Sequence, residues 1–313
     1  MLGFVSRRLL ATIPVMAVVA VFVFLLLHLS PGDPATVIAG DYASPEDIAR
    51  IRAKLGLDQP IHVQFLTWIE RLATGDLGIS IFSNLPVATL IGQRLEPTLA
   101  LALVTLTLAI LIAVPLGTLA AWKAGSWIDR FVMGFAVLGF SVPVFVLGYA
   151  LIWLMAIKLA WFPVQGYAPL AEGFWPFLHR LVLPSATLSV IYIALIARIT
   201  RASVLEVLSE DYVRTARAKG LNERLVLLRH ALANAAVPIV TVIGIGFSLL
   251  IGGVVVTESV YNIPGLGRLT VDAVLRRDYP VIQGIILVFS AAYVLVNLLV
   301  DLLYTVFDPR IHY

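Results

Sequence analysis

Six long, predominantly apolar stretches of this 313-residue chain contain no Asp, Glu, Lys or Arg: residues 9–29, 97–121, 131–157, 181–197, 231–257 and 279–300. A helix of about 17–25 apolar residues crosses a bilayer core of about 30 Å, and each stretch is that long. The composition agrees. The chain is 60% hydrophobic and 13% charged, with a mean hydropathy of +0.97, whereas soluble domains run nearer a quarter charged. The expected fold class is an all-α membrane protein with six transmembrane helices. The fourth stretch is the shortest and carries Pro184; its helix is expected to run on past Arg198 toward Ser203, with the arginine snorkelling to the interface. Pro115 and Pro143 are expected to kink the second and third spans. The first stretch follows Arg7 and Arg8, is too long for a signal-peptide core, and has no small-x-small cleavage site after it, so it reads as a retained span.

Six spans put both termini on one face. That face collects the termini, the loop around Lys123 and Arg130, and the 198–230 segment, with twelve of the 22 basic residues. Five of the remaining ten lie in the long 30–96 segment, where charge weighs little in the positive-inside rule. The termini and the 198–230 segment are therefore expected in the cytoplasm. Residues 30–96 form an outer insertion. It opens with the helix stop Ser30-Pro31-Gly32-Asp33-Pro34, then starts a helix at Ser44-Pro45-Glu46-Asp47, with Ser44 as N-cap, ending by Gly56. A second helix is predicted from about Pro60 to Thr74, with Ile61, Phe65, Trp68, Ile69 and Leu72 on one face. The domain organisation expected is 1–29 as N-terminus and first span, 30–96 as helical insertion, and 97–313 as a five-helix core.

Several chemistries lack their residues. Cys is absent, which removes disulfides, thiolate metal sites and a cysteine nucleophile. There is no Gly-rich phosphate loop ending in Lys-Ser/Thr and no His-Glu-x-x-His motif, so no cofactor or metal is expected on this chain. A net charge of +3 is too slight to suggest nucleic-acid binding. Ser141, in Gly139-Phe140-Ser141, has no His or Lys deep in a span to activate it, so Gly139, Ser141 and Gly148 read as positions of close helix approach. The spans hold no ionisable group at mid-depth; Glu258 and Asp301 fall at span ends. That disfavours an ion-coupled secondary transporter, which remains the alternative.

Residues 203–235 hold the densest charge on the cytoplasmic side. Ser209-Glu210-Asp211 supplies a cap and two acids, a helix follows through Tyr212, Val213, Arg214, Thr215, Ala216, Arg217, Ala218 and Lys219, and Gly220 ends it. A second helix starts at Asn222 and continues through His230. Arg214 and Arg217 share one face, while Tyr212, Ala216 and Gly220 line another with small residues. Two readings stand for this short helix: a surface gripped by another protein, and a solvated positive-inside loop.

The run from Tyr212 to Leu221, with Arg229, His230, Ala231, Leu232 and Asn234, resembles the cytoplasmic loop of ABC-transporter permeases, in particular the peptide/nickel importer branch that includes dipeptide, oligopeptide and glutathione systems. Arg7-Arg8-Leu9-Leu10 with Pro14, Pro31-Gly32-Asp33-Pro34-Ala35, Gly75-Asp76-Leu77-Gly78, Pro86-Val87, Arg94-Leu95 and Pro97-Thr98-Leu99 resemble its first third. Thr257-Glu258, Tyr261, Pro264-Gly265-Leu266-Gly267 and Asp308-Pro309-Arg310 resemble its last third. The wider importer motif places Glu-Ala-Ala before the loop glycine; here Arg214 and Thr215 stand in the first two places and Ala216 in the third, the form this branch takes. The long insertion after the first span resembles the B-type subunit.

The resemblance implies a type I importer permease fold, a second homologous permease subunit, two cytoplasmic ATPase domains carrying ATP and Mg, and a periplasmic or lipid-anchored substrate-binding protein, in the bacterial inner membrane. It implies that the 212–220 helix, with Leu221, His230 and Asn234, couples to the ATPases; on that role, the charges of Arg214 and Arg217 are expected to pair with acidic residues there. Glu258, Tyr261, Pro264, Gly265 and Gly267 form a signature at the outer end of the fifth span, expected to be an ordered turn in which Glu258 accepts backbone hydrogen bonds.

Overall fold

The computed structural model describes residues 2–29, 35–36, 44–54 and 56–307, so the stop at Ser30–34 and the tail Asp308-Pro309-Arg310 lie outside the described residues. Apart from one bridge between Ile79 and Pro86, the regular structure among the described residues is helical. In chain order the helices are α1 (Leu2–Leu29), α2 (Pro45–Lys54), α3 (Ile61–Ala73), α4 (Val87–Trp122), α5 (Trp127–Ser141), α6 (Val144–Lys158), α7 (Phe174–Leu208), α8 (Asp211–Ala218), α9 (Glu223–Leu232), α10 (Ala236–Val260), α11 (Leu266–Arg276) and α12 (Tyr279–Phe307). Four of them, α1, α4, α7 and α12, are each long and apolar enough to cross a bilayer. Two more stretches are broken: α5 and α6 meet at 103°, and α9 and α10 at 61°.

The prolines act unequally. α4 runs through Pro97 and Pro115, and α7 through Pro184, without ending. At Pro143 the chain breaks, because the residue before a proline is driven out of the helical region, and Val142 is extended there. α7 continues well past Arg198 and Ser203 to Leu208.

The chain divides into two compact units. One comprises Met1–Leu95 with Arg268–Val294. In it α3 lays Phe65 and Trp68 against Phe24 of α1, with ring centroids 5.2 and 5.8 Å apart, and Gln64 meets His28 at 3.1 Å. The amphipathic face predicted for α3 is the half-buried one at Phe65, Trp68, Ile69 and Leu72, but Ile61 is exposed. Ser44 Oγ accepts the Asp47 N–H at the start of α2, and Gly56 follows that helix at φ +69°. Asp278 is buried, taking the Ser80 hydroxyl and the Ile81 N–H.

The other unit comprises Glu96–Gly267 with Leu295–Tyr313. Its centre is α7, packed against α5, α6 and α10. Small residues set these spacings. A Cβ on Gly139 would stand 3.1 Å from that of Ala194, and one on Gly148 would stand 3.3 Å from Val260 Cγ1. Both glycines are the close-approach positions read from the sequence. Ser141 is not: it is exposed, and its hydroxyl bonds back to Val137 O at 2.9 Å. Such back-bonding gives the hydroxyl a partner within its own helix.

Candidate functional site

The α8 helix is short, charged and braced. Its Val213 and Ala216 are buried against Val226 of α9, with Val207, Leu208 and Leu221 packed around them. A second cluster joins Ala121 of α4, Val204 of α7, Ala231 of α9 and Ile239 of α10. The helix ends as the sequence indicates. Gly220 lies at φ +78°, its N–H bonds to Arg217 O at 2.9 Å, and the Leu221 N–H bonds to Ala216 O at 3.3 Å. This is a Schellman close, in which Leu221 also folds back on the apolar side of the helix. The helix start differs from expectation. Ser209 donates its hydroxyl to Glu206 O at 2.6 Å and so finishes α7; Glu210 occupies the cap position of α8 without a side-chain cap.

The small-residue face also resolves differently. Ala216 is buried within the chain beside Val213 and Val226, whereas Gly220 has nothing within 4 Å of where a Cβ would go. The outward surface of α8 is Tyr212, Arg214, Thr215, Arg217, Ala218, Lys219 and Gly220. Arg214 and Arg217 have partners of their own: Asp211 at 3.1 Å and Glu223 at 2.8 Å. Exposed pairs of this kind contribute little stability and exchange readily for other partners. His230, Asn234 and Tyr212 come together at one carbonyl. His230 O takes the Asn234 amide at 2.6 Å and the Tyr212 hydroxyl at 3.4 Å, where the helix ladder gives way between α9 and α10. Burial, and then the Glu210 charge, push the Tyr212 phenol upward, which keeps it a donor.

At the other end of the unit stands the signature turn. Glu258 is completely buried, and Thr98 donates its hydroxyl to the Glu258 Oε1 at 2.6 Å. Thr98 Oγ1 in turn accepts the Leu266 N–H at 2.7 Å. Gly265 and Gly267 wall the carboxylate. A Cβ on Gly265 would land on Glu258 Oε1, and one on Gly267 would stand 2.7 Å from Val255 Cα and 3.0 Å from Glu258 Oε2. Tyr261 is buried and places its hydroxyl 2.6 Å from Thr187 Oγ1 and 3.3 Å from Gly148 O. Asn262 takes the left-handed turn at φ +53° ahead of Pro264. The loop above is tied down by the Gly166 N–H to Tyr261 O at 2.9 Å and by Glu96, which takes both the Tyr167 hydroxyl and the Leu170 N–H at 2.9 Å.

Three groups in these sites had no role in the sequence reading. Thr98 stands inside a recognised run, but nothing local shows that it reaches a residue 160 positions away. Asp129 and Arg201 form a forked ion pair, with Arg201 Nη2 2.7 Å from Asp129 Oδ2 and the Gly125 N–H donating to the same oxygen at 2.9 Å. Val213 anchors α8. The spacing of Ser126 and Asp129 is an N-terminal helix signature, and it is the one local signal that pointed at the ion pair. Among the described residues, no group of three or more His, Asp or Glu is placed to hold a metal.

The sequence compares closely with known membrane components. Residues 113–313 match the family model described as the binding-protein-dependent transport system inner membrane component, and residues 1–102 match its N-terminal companion. The chain is 54% identical over 310 residues to a probable peptide ABC transporter permease protein of Sinorhizobium fredii, covering 99% of each. It is 47% identical over 313 residues to a putative peptide transport system permease protein of Brucella suis and to the glutathione transport system permease protein of Salmonella typhimurium, covering 100% of each. Among solved structures, the inward-facing methionine ABC transporter MetNI shares the fold: TM-score 0.59 at 18% identity, over 71% of this chain and 97% of that one.

Proposed function

Since the chain belongs to the family of binding-protein-dependent transport system inner membrane components, the permease subunits of ABC importers, we propose that it forms half of a translocation path for peptides or a related small solute. A second homologous permease supplies the other half. Two cytoplasmic ATPase domains carry ATP and Mg, and a substrate-binding protein delivers cargo from the periplasm or from a lipid anchor. The peptide and glutathione systems of the relatives support this cargo class. In this reading each bent helix pair counts as one span, giving six, with both termini cytoplasmic. Residues 30–96 stand in the periplasm, and 97–313 form the core that includes the 203–235 coupling segment.

The observation that carries the mechanism is the bracing of α8. Its buried side is fastened to the ends of α7 and α9, and the second cluster ties α7 and α9 to α4 and α10. A displacement of α8 by a closing ATPase dimer is therefore passed to three span ends through packed side chains, which shift between discrete arrangements more readily than they deform. ATP binding then turns the path outward, and hydrolysis returns it inward.

The test is to co-purify the ATPase subunits and assay transport in the same preparations. Gly220→Leu places a branched side chain on the open outward end of α8 and strains a left-handed residue by about 1 kcal/mol. It is expected to insert and pair with its partner permease, but to lose most ATPase association and transport. Gly220→Asn tolerates the left-handed position and is expected to retain more of both. Wild-type transport by Gly220→Leu would remove this mechanism. Two further results are expected. A reporter after Tyr313 and a label in 203–230 should both be cytoplasmic, and a label near residue 50 external; termini on opposite faces would overturn the six-span count. The purified chain alone, in liposomes with a proton or sodium gradient, should show no uptake; gradient-driven uptake would establish the secondary transporter instead.

A further inference from the structure

Two arginines stand one turn apart on α7, and the fold treats them oppositely. Arg201 is held in a fork by Asp129. Arg198 is exposed, and among the described residues no carboxylate pairs with it; its guanidinium lies over the Phe140 ring, 5.5 Å from the centroid. Side chains lean toward the N-terminus of their helix, so Arg198 reaches away from the Asp129 end. Phe140 lies about three turns beyond Asp129 on α5, roughly 16 Å of rise. The charge thus points into the span, where the sequence reading had it snorkelling out. The surface at that level is apolar, with Phe135, Val137 and Leu138 exposed. Contact with one aromatic face does not replace the hydration of a guanidinium, so this position requires water. The helix break points the same way. α5 ends at Ser141, beside Phe140, and α6 leaves at 103°. Irregular backbone at membrane depth is tolerated where it is covered by protein or lines a wet cavity, and Ser141 is exposed.

We propose that Arg198 faces the water-filled path and forms an anion subsite that holds a carboxylate of the cargo in transit. The class of ligand rests on the peptide reading above: a free peptide presents a C-terminal carboxylate whose two oxygens fit the guanidinium fork. Phe140 covers one face of the guanidinium and leaves its donor edge for the ligand.

The chain has no cysteine, so Arg198→Cys introduces a single thiol whose labelling is read on this subunit within the assembled transporter. A membrane-impermeant thiosulfonate reagent is expected to label it, and saturating cargo peptide to slow the reaction several-fold. In parallel, Arg198→Gln is expected to lower uptake of a peptide with a free C-terminus by about tenfold relative to its C-amidated form, with ATPase association unchanged. Absence of labelling would place Arg198 in lipid or against the second permease and overturn the proposal. Equal loss for both peptides would also overturn it, by making the residue structural. If the wild-type transporter moves neither peptide, the peptide reading of the function fails separately; labelling of Arg198→Cys would still support the wet path, and silence would still sink it.

Discussion

Gly265→Val is expected to yield little or no folded permease in the membrane, the largest loss of any single substitution in the turn around Glu258. Even a Cβ at this position falls on Glu258 Oε1, the oxygen that Thr98 holds, while Gly267 lies close against Oε2. Overpacking a tight site costs about 1–3 kcal/mol. Displacing the buried carboxylate from its donor adds a further penalty of about 1–3 kcal/mol for the unsatisfied group. Membrane yield and the thermal midpoint of the detergent-purified transporter read this directly. Thr98→Val removes the hydroxyl that both Glu258 and the Leu266 N–H use, and is expected to be the next most damaging change here. Glu258→Gln preserves shape and is expected to assemble with unchanged cargo preference. A shift in preference without loss of assembly would show that Glu258 meets the cargo, and wild-type yield from Gly265→Val would show that the turn does not need its glycine.

Asp129→Ala and Arg201→Ala are each expected to destabilise the unit by about 3 kcal/mol, the low end of the range for breaking a buried pair, since the Arg201 side chain keeps a quarter of its surface in solvent. The larger share falls on removing Arg201, which strands a carboxylate that is almost fully enclosed. The double change Asp129→Leu with Arg201→Met removes both charges and fills the space, and is expected to cost less than either single alanine. A thermal-unfolding double-mutant cycle on the purified transporter measures the difference. Additive losses would mean that the pair is not coupled. Because Arg201 lies two turns before the end of α7, from which α8 hangs, the same variants are expected to weaken coupling in step with stability.

The sequence determined what is local or periodic. Six charge-free stretches required a helical membrane protein, because only closed backbone hydrogen bonding survives in lipid. Gly220 after a run of helix formers placed the Schellman close of α8, since a left-handed residue there needs no partner elsewhere in the chain. Ser44 and Asp47 fixed the start of α2 for the same reason. Tertiary structure decided whatever depended on which surface met which. The helical spacing put Ala216 and Gly220 on one small face, but only the cluster around Val213 and Val226 shows that Ala216 faces inward while Gly220 stays open. Pro143 broke its helix and Pro115 did not, a difference that composition does not encode. Arg198 and Arg201 carry the same side chain one turn apart on the same helix. Asp129, brought in from α5, neutralises one of them and leaves the other exposed over the Phe140 ring, because a charge acquires its role from the groups that three-dimensional folding sets beside it.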